Sequence, residues 1–444
     1  MTFGGLTEAH KIEHRFTSTN HSREMTNAIS TLVGNEVEGE FKWWGSLAGA
    51  DGNVYGIPCD ARRVIKFNPH DNSFVEVGPD IGDDDDGVKW KGGVLAGNGC
   101  IYCAPCKPSH TDILKIDMIH GTVLILSCQW SGGWASGALA LDEWIYFMPE
   151  FACRRILKVN PEDDTVMSIE IDVGRGLTLG TLLFSGTVAG NDGCVYGIPA
   201  SLKQIMRFNP VNQTISFVGN EAQEPFYCRG NGTLGRDGHI YAARMDGSVL
   251  KIDVVSNTYS IFENNIHEYL TLWSLSLGWG AAILGNDGCI YWPPRCSRRT
   301  LKFDPETQVI SLVGNDYGNE DHKWMGGVVA SDGVIYCMPC SANRVLAIDP
   351  FKEFALSLQN NIEQYPEELG RLFVMNEHGK TTFESAIIKF GEHKVFQVIE
   401  DYVPWHVECV GTNLLPFVVA ASCENSAVSV IYYLLLDVLP NWSL

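Results

Sequence analysis

The chain has 444 residues, and its 53 acidic against 32 basic side chains give a formal net charge of −21 at pH 7. Sequence-independent binding to nucleic acid depends on clustered Lys and Arg, so this balance argues against a nucleic-acid partner. The longest apolar run, at 428–439, contains Asp437 and is shorter than the roughly 18 residues that a membrane helix needs, which argues against a membrane span.

Residues 1–27 form an N-terminal extension that we predict to be partly disordered. The extension lacks the apolar core of a secretory signal, and Glu8 and Glu13 do not fit a transit peptide, which is poor in acids. The 14 cysteines recur at equivalent positions of a repeat and do not form the dense pattern of a short disulfide scaffold. We therefore predict a cytoplasmic protein with reduced thiols.

A segment ahead of the first full repeat is similar to the end of a later repeat. Residues 29–35 read ISTLVGN, close to the ISLVGN of 310–315. Because 310–315 has the pattern of a fourth strand, we predict that 29–35 supplies the outer strand of the last repeat and closes a ring. Residues 354–358, FALSL, are the alternative closing strand.

A Tyr preceded by Val or Ile recurs seven times, at 55, 102, 146, 196, 241, 291 and 336. Each copy begins with a short run of small and aliphatic residues, followed in six copies by an Asp-Gly or Asn-Gly turn. The strand with the Tyr comes next, and then a strand that ends in Asn-Pro or Asp-Pro in five copies. Gly supplies the positive φ of a hairpin turn, and Pro ends a strand because it cannot donate to the ladder.

Four short antiparallel strands in about 45 residues, repeated seven times, are typical of β-propeller blades. A single blade cannot bury both of its faces, whereas a ring of blades covers each sheet with its neighbours. We therefore predict an all-β seven-bladed β-propeller over residues 28–360, with the small residues of the first strands around a central channel.

The pattern changes in the last part of the chain, at 361–444. Residues 376–402 have an apolar spacing suited to two short helices. The residues that match the ankyrin signature and its glycine turn are Gly379, Thr381, Ala386 and Gly391. A second partial copy places Ala420 34 residues after Ala386, near the ankyrin period of 33. The segment resembles ankyrin repeats, which implies a small helical appendage that packs on the propeller or forms a complex or homo-oligomer.

Short modules of the forms K-W-x-G-G, D-G-x-I-Y-x-x-P and K-I-D-P recur along the chain, for example at 89–93, 323–327 and 55–58. This arrangement resembles a group of uncharacterised repeat proteins of algae and diatoms, in which ankyrin-like helices sometimes follow the modules. The resemblance covers most of the chain and implies no particular activity.

An aromatic residue stands twelve residues before the Tyr in six copies. These residues are Trp43, Trp90, Trp134, Phe184, Trp279 and Trp324. The position lies where a loop between blades enters the first strand, near the mouth of the channel. Two interpretations remain open: the rings stack on a sugar or grip a partner peptide, or they are wedges that fill the space between blades.

The fifth copy breaks the pattern at two positions. It has Arg229 at the aromatic position and Arg244 where the other copies have Pro. A break in a symmetric array could dock an anion or an acidic partner, or it could be drift offset by a local salt bridge. The candidate binding residues are therefore Trp43, Trp90, Trp134, Arg229, Arg244, Trp279 and Trp324.

No motif predicts a catalytic residue, a metal or a cofactor. The Asp run at 83–86 fails the EF-hand pattern, because Gly82 and Gly93 would occupy its first and last ligand positions. The C-x-x-C pairs at 103–106 and 337–340 straddle strand ends in blades separated by another blade, which does not suit zinc. The sequence also lacks a nucleophile elbow, a P-loop and an H-E-x-x-H motif.

We therefore expect a non-catalytic scaffold that binds a protein or a glycan through the loop-rich face of the propeller. One alternative is a metal-dependent hydrolase or lyase of the lactonase kind that acts at the channel mouth. Another is a structural subunit of a larger assembly.

Overall fold

The computed structural model describes residues 29–350, except 83–87, 108, 110, 152, 172–180 and 264–277. Within this part of the chain, 28 strands form seven four-stranded antiparallel sheets, and there is no helix. The predicted seven-bladed β-propeller is thereby confirmed. The extension at 1–27 and the ankyrin-like segment at 361–444 lie outside the described residues.

The first strands of the blades form the inner ring. At six of the seven junctions the first strands of neighbouring blades are in contact, and at the seventh the Gly92 backbone N–H, just ahead of the second blade, donates to the Trp44 carbonyl oxygen. They are Trp43–Ala48 (β2), Val94–Leu95 (β6), Trp134–Leu139 (β10), Phe184–Ala189 (β14), Thr233–Leu234 (β18), Ile283–Leu284 (β22) and Val328–Val329 (β26). The second strands carry the repeated Tyr. They are Val54–Pro58 (β3), Cys100–Cys103 (β7), Ile145–Pro149 (β11), Val195–Pro199 (β15), Ile240–Ala243 (β19), Ile290–Trp292 (β23) and Ile335–Cys337 (β27).

The third and fourth strands complete each sheet towards the outside. The third strands are Val64–Asn68 (β4), Ile113–Asp117 (β8), Arg155–Val159 (β12), Ile205–Asn209 (β16), Val249–Asp253 (β20), Thr300–Asp304 (β24) and Val345–Ile348 (β28). The fourth strands are Ser73–Val77 (β5), Thr122–Leu126 (β9), Val166–Glu170 (β13), Thr214–Val218 (β17), Thr258–Phe262 (β21), Val309–Val313 (β25) and, from the start of the described chain, Ser30–Val33 (β1).

Burial follows this order of strands. Every residue of the second strands is buried, whereas most residues of the fourth strands are half-buried or exposed. A second strand is covered on both of its faces by the neighbouring blades, which explains its continuous run of apolar residues. The core is accordingly a set of clusters, each shared between two adjacent blades.

The ring closes through the N-terminal strand, as predicted. β1 pairs antiparallel with β28, so that residues 30–33 lie opposite 345–348 and form the outer strand of the seventh blade. The Ser30 side chain is buried and hydrogen-bonds to the Tyr317 hydroxyl at 2.9 Å, and its Oγ accepts the Asn315 backbone N–H at 3.0 Å. The alternative closing strand at 354–358 lies outside the described residues.

One face of the ring, which we call the turn face, carries the turns between first and second strands. In six blades the Tyr hydroxyl donates a hydrogen bond to the turn Asp four residues earlier, at 2.6–2.9 Å. A Lys or Arg lies directly opposite the Tyr on the third strand in six blades, as in the Tyr196–Arg207 pair. The seventh blade has Ala347 there, so Asp332 lacks this cation.

The opposite face, which we call the loop face, carries the loops between second and third strands and between blades. Three buried lysines, each directly before a Trp of the K-W modules, donate to backbone carbonyl oxygens of these loops. The Lys89 ammonium group, for instance, donates to the carbonyl oxygens of Asp60, Ala61 and Gly82 at 2.9–3.3 Å. This contact joins the loop inside one blade to the segment that enters the next.

Candidate functional site

A cavity opens on the loop face at the mouth of the central channel, and we call it the mouth cavity. Residues of all seven blades line it: Trp44, Gly45, Lys91, Gly92, Ala135, Ser136, Glu150, Leu182, Ser185, Arg229, Gly230, Asn231, Trp279, Gly280, Ala281, Arg295 and Met325. Small residues dominate where the first strands meet, since a Cβ added to Gly45 would lie 3.2 Å from the Gly92 Cα. The long polar side chains therefore define the chemistry of the cavity.

The five tryptophans singled out by the sequence lie in the core between blades. Trp43, Trp90, Trp134, Trp279 and Trp324 are at most 6% exposed. Each indole N–H donates to the backbone carbonyl of the residue just before or at the start of the third strand in the same blade, at 2.9–3.2 Å. This environment fits the wedge interpretation, because a buried ring with its N–H already bonded presents little surface for stacking. Of the five, Trp279 also lies among the residues that line the mouth cavity.

The two arginines of the fifth blade lie in different environments. Arg244 pairs with Cys228 in an isolated bridge that matches the Trp90–Pro105 bridge of the second blade, so it does occupy the Pro position. Its guanidinium group donates to the Phe226 carbonyl oxygen at 2.9 Å and to the Ser248 hydroxyl at 3.0 Å. These local bonds hold Arg244 within its own blade, whereas Arg229 lines the mouth cavity.

The structure corrects the position assigned to Arg229. The bridge places Cys228, and not Arg229, where the other blades have the aromatic wedge. Four residues lie between Cys228 and Thr233 of the first strand, against three between Trp90 and Val94. The fifth blade thus contains one extra residue here, and counting back from the Tyr assigns Arg229 to the wrong position.

A second one-residue insertion, in the sixth blade, places Arg295 at the cavity. The sequence analysis missed this residue. The backbone N–H of Cys296 donates to the carbonyl oxygen of Gly278, the residue before Trp279. In the same way, the backbone N–H of Cys59 donates to the carbonyl oxygen of Lys42, the residue before Trp43. Cys296 comes five residues after the Tyr of its blade, and Cys59 comes four residues after its own Tyr. The spacing of Tyr and Cys would have revealed this insertion. An extra residue at a strand end redirects a side chain, as in a β-bulge.

A second group in the cavity consists of Lys91, Glu150 and Trp44. The Lys91 ammonium group bonds to both Glu150 oxygens, at 2.8 and 3.1 Å, with both side chains largely buried. It also lies over the half-buried Trp44 ring, 4.8 Å from the centroid. Burial is the largest single influence on the pKa of Lys91 and acts to lower it, but the charge and hydrogen bond of Glu150, together with the nearby Cys106 and Cys59, outweigh burial and raise the pKa. Lys91 therefore stays protonated and neutralises Glu150.

His322 holds Arg295 beside the cavity. The Arg295 Nη2 donates to the His322 Nε2 at 2.7 Å. Burial, and then the positive charge of Arg295, lower the pKa of His322 to about 4, so the ring is neutral at pH 7 and accepts this bond. His322 packs on Phe41, with ring centroids 4.9 Å apart, and both residues have positive φ values near 50–58°. Such strained backbone persists only where the surroundings enforce it, and it is found at ligand sites.

The acid–base groups of the site are already engaged. Lys91 is paired with Glu150, and the neutral His322 accepts a bond from Arg295. Cys106, one blade from Glu150, is a buried thiol whose pKa is raised to about 12, chiefly by burial. The described residues contain no group of three or more His, Cys, Asp or Glu side chains arranged to hold a metal ion. The arrangement is suited to binding through charge and aromatic contact.

The fold and the site together define a seven-bladed β-propeller with a charged cavity at its loop-face mouth. No family model matches the chain, and no curated protein matches it. Among solved structures, a streptogramin B lyase has a TM-score of 0.57 at 14% identity, over 72% of this chain and 97% of the lyase. Virginiamycin B lyase from Staphylococcus aureus has a TM-score of 0.58 at 13% identity, over 72% and 99%.

A propeller of WD40 repeats, that of RRP9, is similar as well, with a TM-score of 0.51 at 10% identity over 72% of this chain and 99% of its own. At these identities the likeness concerns the fold alone. Because 1410 solved chains match, the architecture is widespread and does not indicate one function. Among the described residues, no helix has the length and apolar character needed to cross a bilayer.

Proposed function

We propose that this propeller is a non-catalytic recognition protein that binds its ligand in the mouth cavity. The observation that carries the proposal is a concave site at the centre of the ring in which charged and aromatic side chains from different blades converge. A rigid scaffold with a few placed polar groups in a concavity is the usual form of a ligand site.

The ionisable groups of the cavity already bond to one another, and this supports binding over catalysis. A nucleophilic Lys needs a lowered pKa and a general base needs an accessible lone pair. The pKa of Lys91 is raised, and the His322 Nε2 already accepts a bond from Arg295. The alternative of a metal-dependent lyase has no ligand set within the described residues.

The test is a thermal-shift screen of the full chain against glycans, organic acids and phosphorylated metabolites, with two matched Trp variants. Ser185→Trp places a large ring on the cavity wall. Val211→Trp adds the same ring on a turn-face loop, at a side chain that is 89% exposed. We expect at least one compound to stabilise the wild type and Val211→Trp but not Ser185→Trp.

A compound that stabilises all three proteins equally would place binding elsewhere and contradict the proposal. So would a screen in which no compound shifts the wild-type melting temperature. The same three proteins probed on a glycan array separate a glycan ligand from the other classes, because only a glycan ligand gives array signal that Ser185→Trp abolishes.

A further inference from the structure

Arg229 carries an unneutralised charge in the mouth cavity. The guanidinium group is half-buried, and within the described chain it has neither a hydrogen-bond partner nor an ion-pair partner. Buried or half-buried arginines are otherwise paired, because taking a charge out of water without a counter-charge is costly. A structural arginine in this protein illustrates the difference: Arg207 bonds to both Asp192 and the Tyr196 hydroxyl.

Arg295 places a second positive charge close to the first. Burial, and after it the charge of Arg295, lower the pKa of Arg229 below its ordinary value, and the opposing effect of the Glu150 charge is smaller. Within the described residues, neutral His322 is the hydrogen-bond partner of the Arg295 guanidinium group, whose Nε has no partner. Two like charges that share a low-dielectric site repel each other, so both groups are stabilised when an anion lies between them.

The remaining charges of the cavity do not cancel this excess. Lys91 and Glu150 neutralise each other, and they are the other charged residues among those that line the cavity. The cavity therefore has a net charge of +2 within a chain whose formal net charge is −21. Oxyanions match this site, since a planar guanidinium fork binds carboxylate or phosphate oxygens in pairs.

We propose that the mouth cavity binds a small oxyanion of charge near −2, a phosphate monoester or a dicarboxylate, between the guanidinium groups of Arg229 and Arg295. This inference rests on the proposed function of the cavity and names the chemistry of its ligand. The half-buried Trp44, whose ring centroid is 5.9 Å from the Arg295 guanidinium carbon, adds an aromatic surface beside the anion site.

The inference is tested by calorimetric titration of the full chain with phenyl phosphate, succinate, acetate and glucose. Phenyl phosphate or succinate should bind at least tenfold more tightly than acetate, and glucose should not compete. The variants Arg229→Met and Arg295→Met should each weaken binding by about tenfold or more, as expected for loss of a charge-assisted pair. Arg62→Met, at an exposed ion pair with Asp80, is the matched control and should bind like the wild type.

A second readout separates binding from a structural role. Because Arg229 has no partner in the described protein, Arg229→Met should melt at the same temperature as the unliganded wild type or higher. Phenyl phosphate or succinate should then no longer raise its melting temperature. A lower melting temperature with unchanged anion binding would assign Arg229 a structural role and overturn the inference.

The outcomes also separate this inference from the proposed function. If the screened ligand is lost in Ser185→Trp but retained in Arg229→Met and Arg295→Met, the cavity binds a ligand that is not an oxyanion, and only the inference is overturned. Equal affinity for glucose and phenyl phosphate would likewise overturn only the oxyanion inference. If no compound binds the wild-type cavity, both proposals are wrong.

Discussion

The two faces of the ring use the same repeat in opposite ways. On the turn face, four blades repeat one contact between Tyr, the turn Asp and a cation, and the side chains satisfy each other. On the loop face, single residues depart from the repeat, and Arg229 is left without a partner in the described chain. Repetition thus accounts for stability, and departures from repetition line the cavity that we propose as the site of recognition.

Adjacent tryptophans in one strand provide the sharpest test of this division. Trp43 is buried and its N–H is bonded, whereas Trp44 is half-buried in the mouth cavity. We expect Trp43→Ala to lower the free energy of unfolding by about 3–5 kcal/mol, because it leaves a large void between blades. Trp44→Ala should cost clearly less in chemical denaturation and should weaken ligand binding. Equal losses of stability would contradict the division.

Removing the ion pair inside the cavity should lower the stability of the protein by an intermediate amount. Glu150→Gln removes the carboxylate that neutralises Lys91, and we expect a loss of about 1–3 kcal/mol in the free energy of unfolding. The cavity would then have a net charge of +3, so its affinity for phenyl phosphate should rise. Calorimetry at low and high salt measures the effect, which should shrink as salt screens the charge. Weaker anion binding in this variant would be contrary to expectation.

The turn face offers a smaller, pH-dependent test with a built-in control. Burial acts to raise the pKa of Asp192, but bonds from Arg207 and Tyr196 outweigh it and hold the pKa below its ordinary value. Asp332 lacks the cation, and burial, opposed by the bond from Tyr336, raises its pKa. The ionised form of Asp192 therefore stabilises the fold above the unfolded-state pKa, and this contribution is lost as pH falls. The ionised form of Asp332 opposes folding.

At pH 7 we expect Asp192→Asn to cost about 1–3 kcal/mol and Asp332→Asn to cost nothing or to stabilise slightly. Urea unfolding of both variants between pH 7.5 and pH 3.5 checks the sign. Relative to the wild type, the deficit of Asp192→Asn should shrink towards low pH. Any gain in Asp332→Asn should also disappear there, as the wild-type carboxyl becomes protonated. Parallel pH profiles for the two variants would show that the cation makes no difference.

Much of the frame was predictable because its causes are local and repeated. Each repeated feature has one structural consequence: this holds for the Tyr, for the Asp-Gly turn and for the Pro after the third strand. Because the repeat occurs seven times, its pattern stays recognisable even where one copy departs from it. Even the absence of Gly from the third turn has a local solution, since Glu143 takes the positive φ of 65° there. The closing strand was predictable for the same reason, because residues 29–35 repeat a fourth-strand pattern.

The mouth cavity was predictable only in part, because its chemistry depends on insertions that change register. Arg229 was singled out, but its position was wrong by one residue. Arg295, Lys91, Trp44 and His322 were missed, since no motif connects residues from four blades that meet only in the closed ring. The prominent Trp positions left two interpretations open, because a large aromatic suits a core as well as a binding surface.

The strand that closes the ring has a consequence for how the protein is made. β1 leaves the ribosome first, but its partner β28 is synthesised more than 300 residues later. At a synthesis rate of about 5–20 residues per second, roughly 15–60 seconds pass before β28 exists, and until then the backbone N–H and C=O groups of β1 lack this partner strand. Such long-range pairing is slow and leaves a strand edge open to other chains. Among the described strands, β1 is therefore the one that we expect to depend most on protection by a chaperone.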